Sequence, residues 1–226
     1  VTAAAAIAWM ARGAAVAAAI AALELLVVRR EVARVLGGPR WLAIVPALQL
    51  AGALALPWCP AAAWLVLACT LAIALGFGGS YNGGSDAMLV IVLLAIALAS
   101  VGHARAGLAY AAAQLVLSYF VSGVAKLGDP AWRAGRALPA ILQLPQYRVP
   151  PRFAAVVRRL PRAATWAMLA FECGFPLALA GPAICAGALA VGAAFHLANA
   201  IGFGLNRFLW TWLAAYPALL YVVGGR

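Results

Sequence analysis

Apolar residues run along this chain in long, nearly unbroken stretches, and clusters of Gly, Pro and Arg mark where each stretch stops. The stretches approach the ~20 residues that a helix needs to cross ~30 Å of hydrocarbon. Eight can be drawn: within 3–28, then 41–58, 61–77, 87–101, 108–127, 163–180, 184–203 and 208–223. Continuous Ala/Leu-rich runs are unlike the ~10-residue alternation of a membrane barrel. The expected fold is all-α: a polytopic transmembrane helical bundle of about eight spans in one membrane domain, 1–226.

Between the spans the pattern changes. Arg29, Arg30, Arg34 and Arg40, followed or joined by Gly37, Gly38 and Pro39, predict a basic loop. Trp41 and Trp58 flank the second stretch as interface anchors would. Gly76, Gly78, Gly79, Asn82, Gly83 and Gly84 predict an uncharged loop, after which Ser85 or Asp86 can cap the fourth helix. Asp129–Pro130 reads as an N-cap and first helical residue. A short amphipathic surface helix, 131–138, follows the fifth span, carries Arg133 and Arg136, and is expected to break at Pro139. The Pro- and Arg-rich stretch 144–161 is expected to lie along the membrane surface, and Pro176 to kink the sixth span.

Composition agrees with this reading and narrows it. The chain is 67% hydrophobic and only 9% charged, with a mean hydropathy of +1.02, whereas soluble domains carry roughly a quarter charged residues. The net charge of +11 would suggest nucleic acid in a soluble protein. Here the arginines lie between apolar runs, without the aromatic interleaving of single-strand binders. Membrane lipids, not nucleic acid, are the expected polyanionic partner. Four dispersed cysteines without a CxxC pair support neither a zinc site nor a disulfide framework. The apolar N-terminal stretch suits a signal peptide or a retained first helix.

Arginine placement also predicts topology. The loop after the first span holds four arginines, the region 128–162 holds seven, and Arg207 adds one. Eight spans put all of these on one side, leaving Arg12, Arg105 and Arg226 on the other. The basic side is then cytoplasmic and both termini lie outside.

Gln114–Pro150 contains an aromatic pair, a small residue and Gly, then Lys-Leu, an acidic turn and Trp-x-x-Gly: Tyr119, Phe120, Ser122, Gly123, Lys126, Leu127, Asp129, Trp132 and Gly135. This pattern closely resembles the vitamin K-dependent gamma-carboxylase-like membrane domain, also called the HTTM domain, of many bacterial proteins. Gly83, Gly84 and Asp86 resemble its upstream GGxD segment, and Glu172, Phe175 and Pro176 its Glu-x-x-Phe-Pro; His196 matches a membrane-embedded histidine. The resemblance covers roughly 83–223. It implies a multi-pass protein of a bacterial inner membrane, with Lys126 in the position of the base that activates reduced vitamin K in the carboxylases. The large extramembrane region that binds protein substrate in those enzymes has no counterpart in this sequence, so protein carboxylation is not expected.

The residues themselves point to the same place. Lys126 is the one lysine among 16 basic residues; near hydrocarbon it is a usable base, or else a flanking charge that snorkels to the headgroups. Glu172 lies inside the sixth span, where a carboxylate needs a partner, and Lys126 or His196 would supply one. His196, with Asn199 one turn later, suits proton relay, contact with a quinone oxygen, or simply a bond to a neighbouring helix. Lys126, Glu172 and His196 are the candidate catalytic residues, and Tyr119, Trp132, Asn199 and Asp86 the candidate ligand-binding ones. The expected ligand is apolar, a quinone or lipid; the residues name no cofactor and no metal. Two alternatives remain: a non-catalytic subunit that assembles with membrane protein partners in a larger complex, suggested by Ala/Gly-rich helices fit for close packing, and a transporter, for which no inverted repeat is visible.

Overall fold

Ala, Leu and Val run for many residues without a breaker, so each predicted stretch winds into helix. The computed structural model describes residues 1–35, 41–78, 83–147 and 149–225. Gly37, Gly38, Pro39, Arg40, Gly79, Asn82, Arg148 and Arg226 lie outside the described residues, as does the side chain of Trp41. The elements are α1 (Ala3–Val35), α2 (Trp41–Ala55), α3 (Ala62–Gly76), α4 (Gly84–Ser100), α5 (Ala104–Gly128), α6 (Pro130–Arg133), α7 (Ala137–Ile141), α8 (Pro151–Arg159), α9 (Pro161–Gly174), a 3₁₀ segment (Phe175–Ala180), α10 (Pro182–Phe203) and α11 (Asn206–Gly224). No strand occurs among the described residues, so the all-helical expectation holds.

Four described stretches are long and apolar enough to cross a bilayer: Ala3–Arg34, Ala104–Gly128, Pro161–Ala180 and Pro182–Phe203. Ile44–Ala55, Ala62–Gly76 and Gly84–Ser100 are apolar but shorter. Exposed Leu54, Val27 and Leu75 turn large apolar side chains outward, as lipid-facing helices do.

The chain forms two compact units, Val1–Ala112 with Trp210–Arg226, and Ala113–Leu209. In the first, α1 packs on α2 and α4, and α3 lies against α2 and α4. Its core joins Leu25, Leu42 and Ile73 with Val32, Val45 and Phe77 along the edge. Met10, Ala14, Ala17, Ala18 and Ala21 line the buried side of α1, where alanines permit close helix approach. Gln49 Nε2 donates to Thr70 Oγ1 at 3.0 Å inside this unit. In the second, α6, α7 and α8 pack around α9, and the 3₁₀ segment packs on α10.

Three local expectations need correction. The basic stretch after the first span is not all loop, because α1 runs to Val35 and includes Arg29, Arg30 and Arg34. Nothing before Gly37 breaks a helix there, and Glu31 pairs with Arg34 on its surface. The surface helix breaks at Gly135, not Pro139. Gly135 adopts φ +71° and divides α6 from α7, while Pro139 sits in the first turn of α7, where its missing N–H costs nothing. Neither Ser85 nor Asp86 caps α4: the N-cap is Gly83, and no side chain bonds the cap. Asp129, by contrast, accepts from the Ala131 N–H at 2.7 Å, as expected. At Pro176 the α-helix has already tightened into the 3₁₀ segment, beginning at Phe175.

Candidate functional site

Within the second unit, α5 carries Tyr119, Ser122, Gly123 and Lys126 three or four residues apart, hence on one face. That face meets α9 where neither helix has bulk to spare. A Cβ on Gly123 would lie 2.8 Å from both the backbone nitrogen and Sγ of Cys173, and 2.9 Å from Cβ of Glu172. The missing side chain at 123 brings α5 against α9, and Lys126 one turn on meets Glu172.

Lys126 Nζ donates to Glu172 Oε1 at 2.8 Å and to Oε2 at 2.7 Å. It also donates to Ser122 Oγ, and Ser122 approaches Glu172 Oε1 at 3.5 Å. The Glu172 side chain is 5% exposed and that of Lys126 20%. A lone carboxylate at this depth would be costly; paired with the ammonium and bonded at both oxygens, it is compensated. The ammonium lies 5.7 Å from the centre of the Trp132 ring. Arg133 holds that ring's helix in place by donating to the Leu127 and Gly128 carbonyls at 2.7 and 2.9 Å, satisfying groups left open at the end of α5.

A second pair lies one to two turns earlier on α5. The Tyr119 hydroxyl and His196 Nε2 are 2.6 Å apart, with either able to donate according to the imidazole tautomer. Both residues are buried. Tyr119 stacks on Phe175 with ring centres 4.0 Å apart and meets the edge of Phe171 at 5.3 Å. His196 lies edge-on to Phe208 at 4.8 Å and Phe195 at 5.2 Å.

The anticipated Lys/Glu/His cluster is therefore two pairs. Of the partners considered for Glu172, the structure supplies Lys126; His196 bonds Tyr119 instead. Trp132 lies beside the lysine. Asn199, half-buried on α10, lends its backbone carbonyl to the closing turn at Gly204. Asp86 belongs to the other unit, buried in the first turn of α4.

Sequence reasoning passed over the roles of Gly123, Phe171 and Arg133. Gly123 stands one turn before the only lysine, and Phe171 stands four residues before Phe175, so both spacings could have drawn notice. Arg207, read as a topology marker, is buried at 6% exposure. The arrangement can hold a proton between an amine and a carboxylate, with the amine partly open to a ligand and the carboxylate closed off. The chain matches no protein-family model, no curated protein and no solved structure at a significant level.

Proposed function

We propose that this chain is a gamma-carboxylase-like (HTTM) protein of a bacterial inner membrane that binds an apolar ligand, a quinone or lipid, beside Lys126. The observation that carries the reading is the motif lysine itself: it is partly exposed, yet tied to both oxygens of a buried glutamate. In this account Lys126 presents a proton donor or base to a ligand oxygen, and Glu172 sets its charge and aim. Tyr119 and His196 form a second hydrogen-bonded stop behind it. The eight helices α1–α5, α9 with its 3₁₀ extension, α10 and α11 are the eight spans, the shorter ones accommodated by local thinning of the bilayer. The arginines of 128–162 face the cytoplasm.

The test is ligand occupancy. Wild-type protein purified in mild detergent should carry an extractable apolar molecule that Lys126→Ala and Glu172→Gln lose. Unchanged occupancy, with an unchanged phenotype in the native host, would refute the reading.

A second reading is a non-catalytic subunit of a membrane complex. The closure of the pair favours it, since Glu172 already has both oxygens bonded and Gly123 locks α5 to α9. Stoichiometric co-purification with other membrane proteins, and no bound small molecule, would select it.

A further inference from the structure

Three arginines from separate stretches of the second unit converge on one cavity. It measures about 780 Å³ and is lined by Arg136 at the start of α7, Arg159 at the end of α8, and Arg162 in the first turn of α9. Pro139, Ala140 and Leu160 supply apolar wall between the charges. Arg162 is set by close packing: a Cβ on Gly135 would lie 2.7 Å from its Cγ, and its Nε donates to the Ala134 carbonyl at 3.3 Å. The side chains of Arg136 and Arg159 make no hydrogen bond or ion pair among the described residues.

The second unit cannot neutralise them from within. It contains two acids, Asp129 and Glu172. Asp129 caps α6, and Glu172 is taken by Lys126. Positive-inside bias explains why arginines lie on this side of the membrane, but not why three of them face a single recess with apolar walls. Diffuse basic surface is also available for comparison: Arg152 and Arg158, exposed on the same α8, do not line the cavity.

We propose that this cavity binds a phosphate group, with Arg136 and Arg159 as its charged contacts and Arg162 as the fixed wall. Guanidinium forks match phosphate oxygens, and the apolar walls suit a headgroup with its glycerol and upper acyl carbons. A phospholipid and a soluble phosphate compound share that chemistry, and the experiment separates them. The proposal does not rest on the Lys126–Glu172 reading.

The full chain in phosphate-free detergent micelles is titrated with phosphatidylglycerol against diacylglycerol, which has the same chains without the phosphate, and separately with glycerol 3-phosphate against glycerol, using bound-ligand counts from native mass spectrometry. Two charge-matched variants are compared, Arg136→Gln/Arg159→Gln in the cavity and Arg152→Gln/Arg158→Gln outside it. Both pairs give up the same general attraction to an anionic surface, so the cavity pair, which also loses its charge-assisted phosphate hydrogen bonds, should lower phosphatidylglycerol affinity at least about ten-fold more than the outside pair. Glycerol 3-phosphate bound by wild type and lost by the cavity pair, with no lipid preference, would support the site with a soluble source. Equal losses in both variants, or no preference of wild type for either phosphate probe over its phosphate-free counterpart, would overturn it. Because no side-chain bond is lost at positions 136 and 159, thermal unfolding should be unchanged; Arg159→Glu gives a second check, with a larger loss of binding at unchanged stability.

Discussion

Lys126 Nζ reaches both carboxylate oxygens of Glu172, 46 positions later in the chain, at 2.8 and 2.7 Å. The two partners are unequally placed, since the glutamate side chain is 5% exposed and the lysine 20%. Removing one member therefore should not cost the same as removing the other. Lys126→Ala strands a buried carboxylate and should destabilise by about 3–5 kcal/mol. Glu172→Gln leaves an ammonium that can turn outward, and should cost less, about 1–3 kcal/mol. The apolar double replacement Lys126→Met/Glu172→Leu should cost less than the two single changes added together. Reversible unfolding in mixed micelles measures all three; additive effects would show that the pair is not coupled.

The Tyr119–His196 bond separates from the ring packing around it. Tyr119→Phe keeps the stack on Phe175 but leaves His196 without that hydroxyl, and should cost about 1–3 kcal/mol. Tyr119→Ala also removes the ring from between Phe171 and Phe175 and should cost about 3–5 kcal/mol. The same unfolding assay distinguishes them, and equal losses would mean that the hydrogen bond alone carries the effect.

Lys126, Glu172 and His196 stand out in the sequence because ionisable side chains inside apolar runs need partners. Their pairing was not legible, because it depends on which helix faces which and at what depth. Gly123 sets that depth for α5 and α9, and a glycine inside an Ala-rich helix gives no sign of what it touches. Helix positions were legible from unbroken apolar runs. Their ends were less so: α1 overran its expected limit because Arg and Glu continue a helix about as readily as Leu, and Val costs under about 0.7 kcal/mol relative to Ala. The break falls at Gly135 and not at Pro139 because Gly135 adopts a positive φ, whereas a proline within a first turn breaks nothing.

The α5–α9 contact has a steric test. A Cβ at position 123 would lie 2.8 Å from the backbone nitrogen of Cys173, which cannot move aside as a side-chain tip can. Gly123→Ala should therefore cost about 1–3 kcal/mol by overpacking, and Gly123→Val more. Unfolding in mixed micelles reads both; stability equal to wild type in Gly123→Val would show that the helices do not approach there.

In the first unit, Gln49 donates to Thr70 while its Oε1 has no partner among the described residues. Replacing both groups by apolar ones of similar shape should be nearly neutral or stabilising, whereas Thr70→Val alone should cost about 1–2 kcal/mol by stranding the amide. Unfolding of Gln49→Leu/Thr70→Val beside Thr70→Val reads the difference; a double variant less stable than the single one would contradict it.

If Lys126 and Glu172 form a ligand site, the bound molecule should leave the membrane with the protein. The most direct measurement is the mass spectrum of small apolar molecules extracted from protein purified in mild detergent, for wild type, Lys126→Ala and Glu172→Gln at matched amounts of folded protein. One molecule should be enriched with wild type and depleted at least about tenfold in both variants. The same molecule at equal occupancy in all three, or none enriched with wild type, would contradict it.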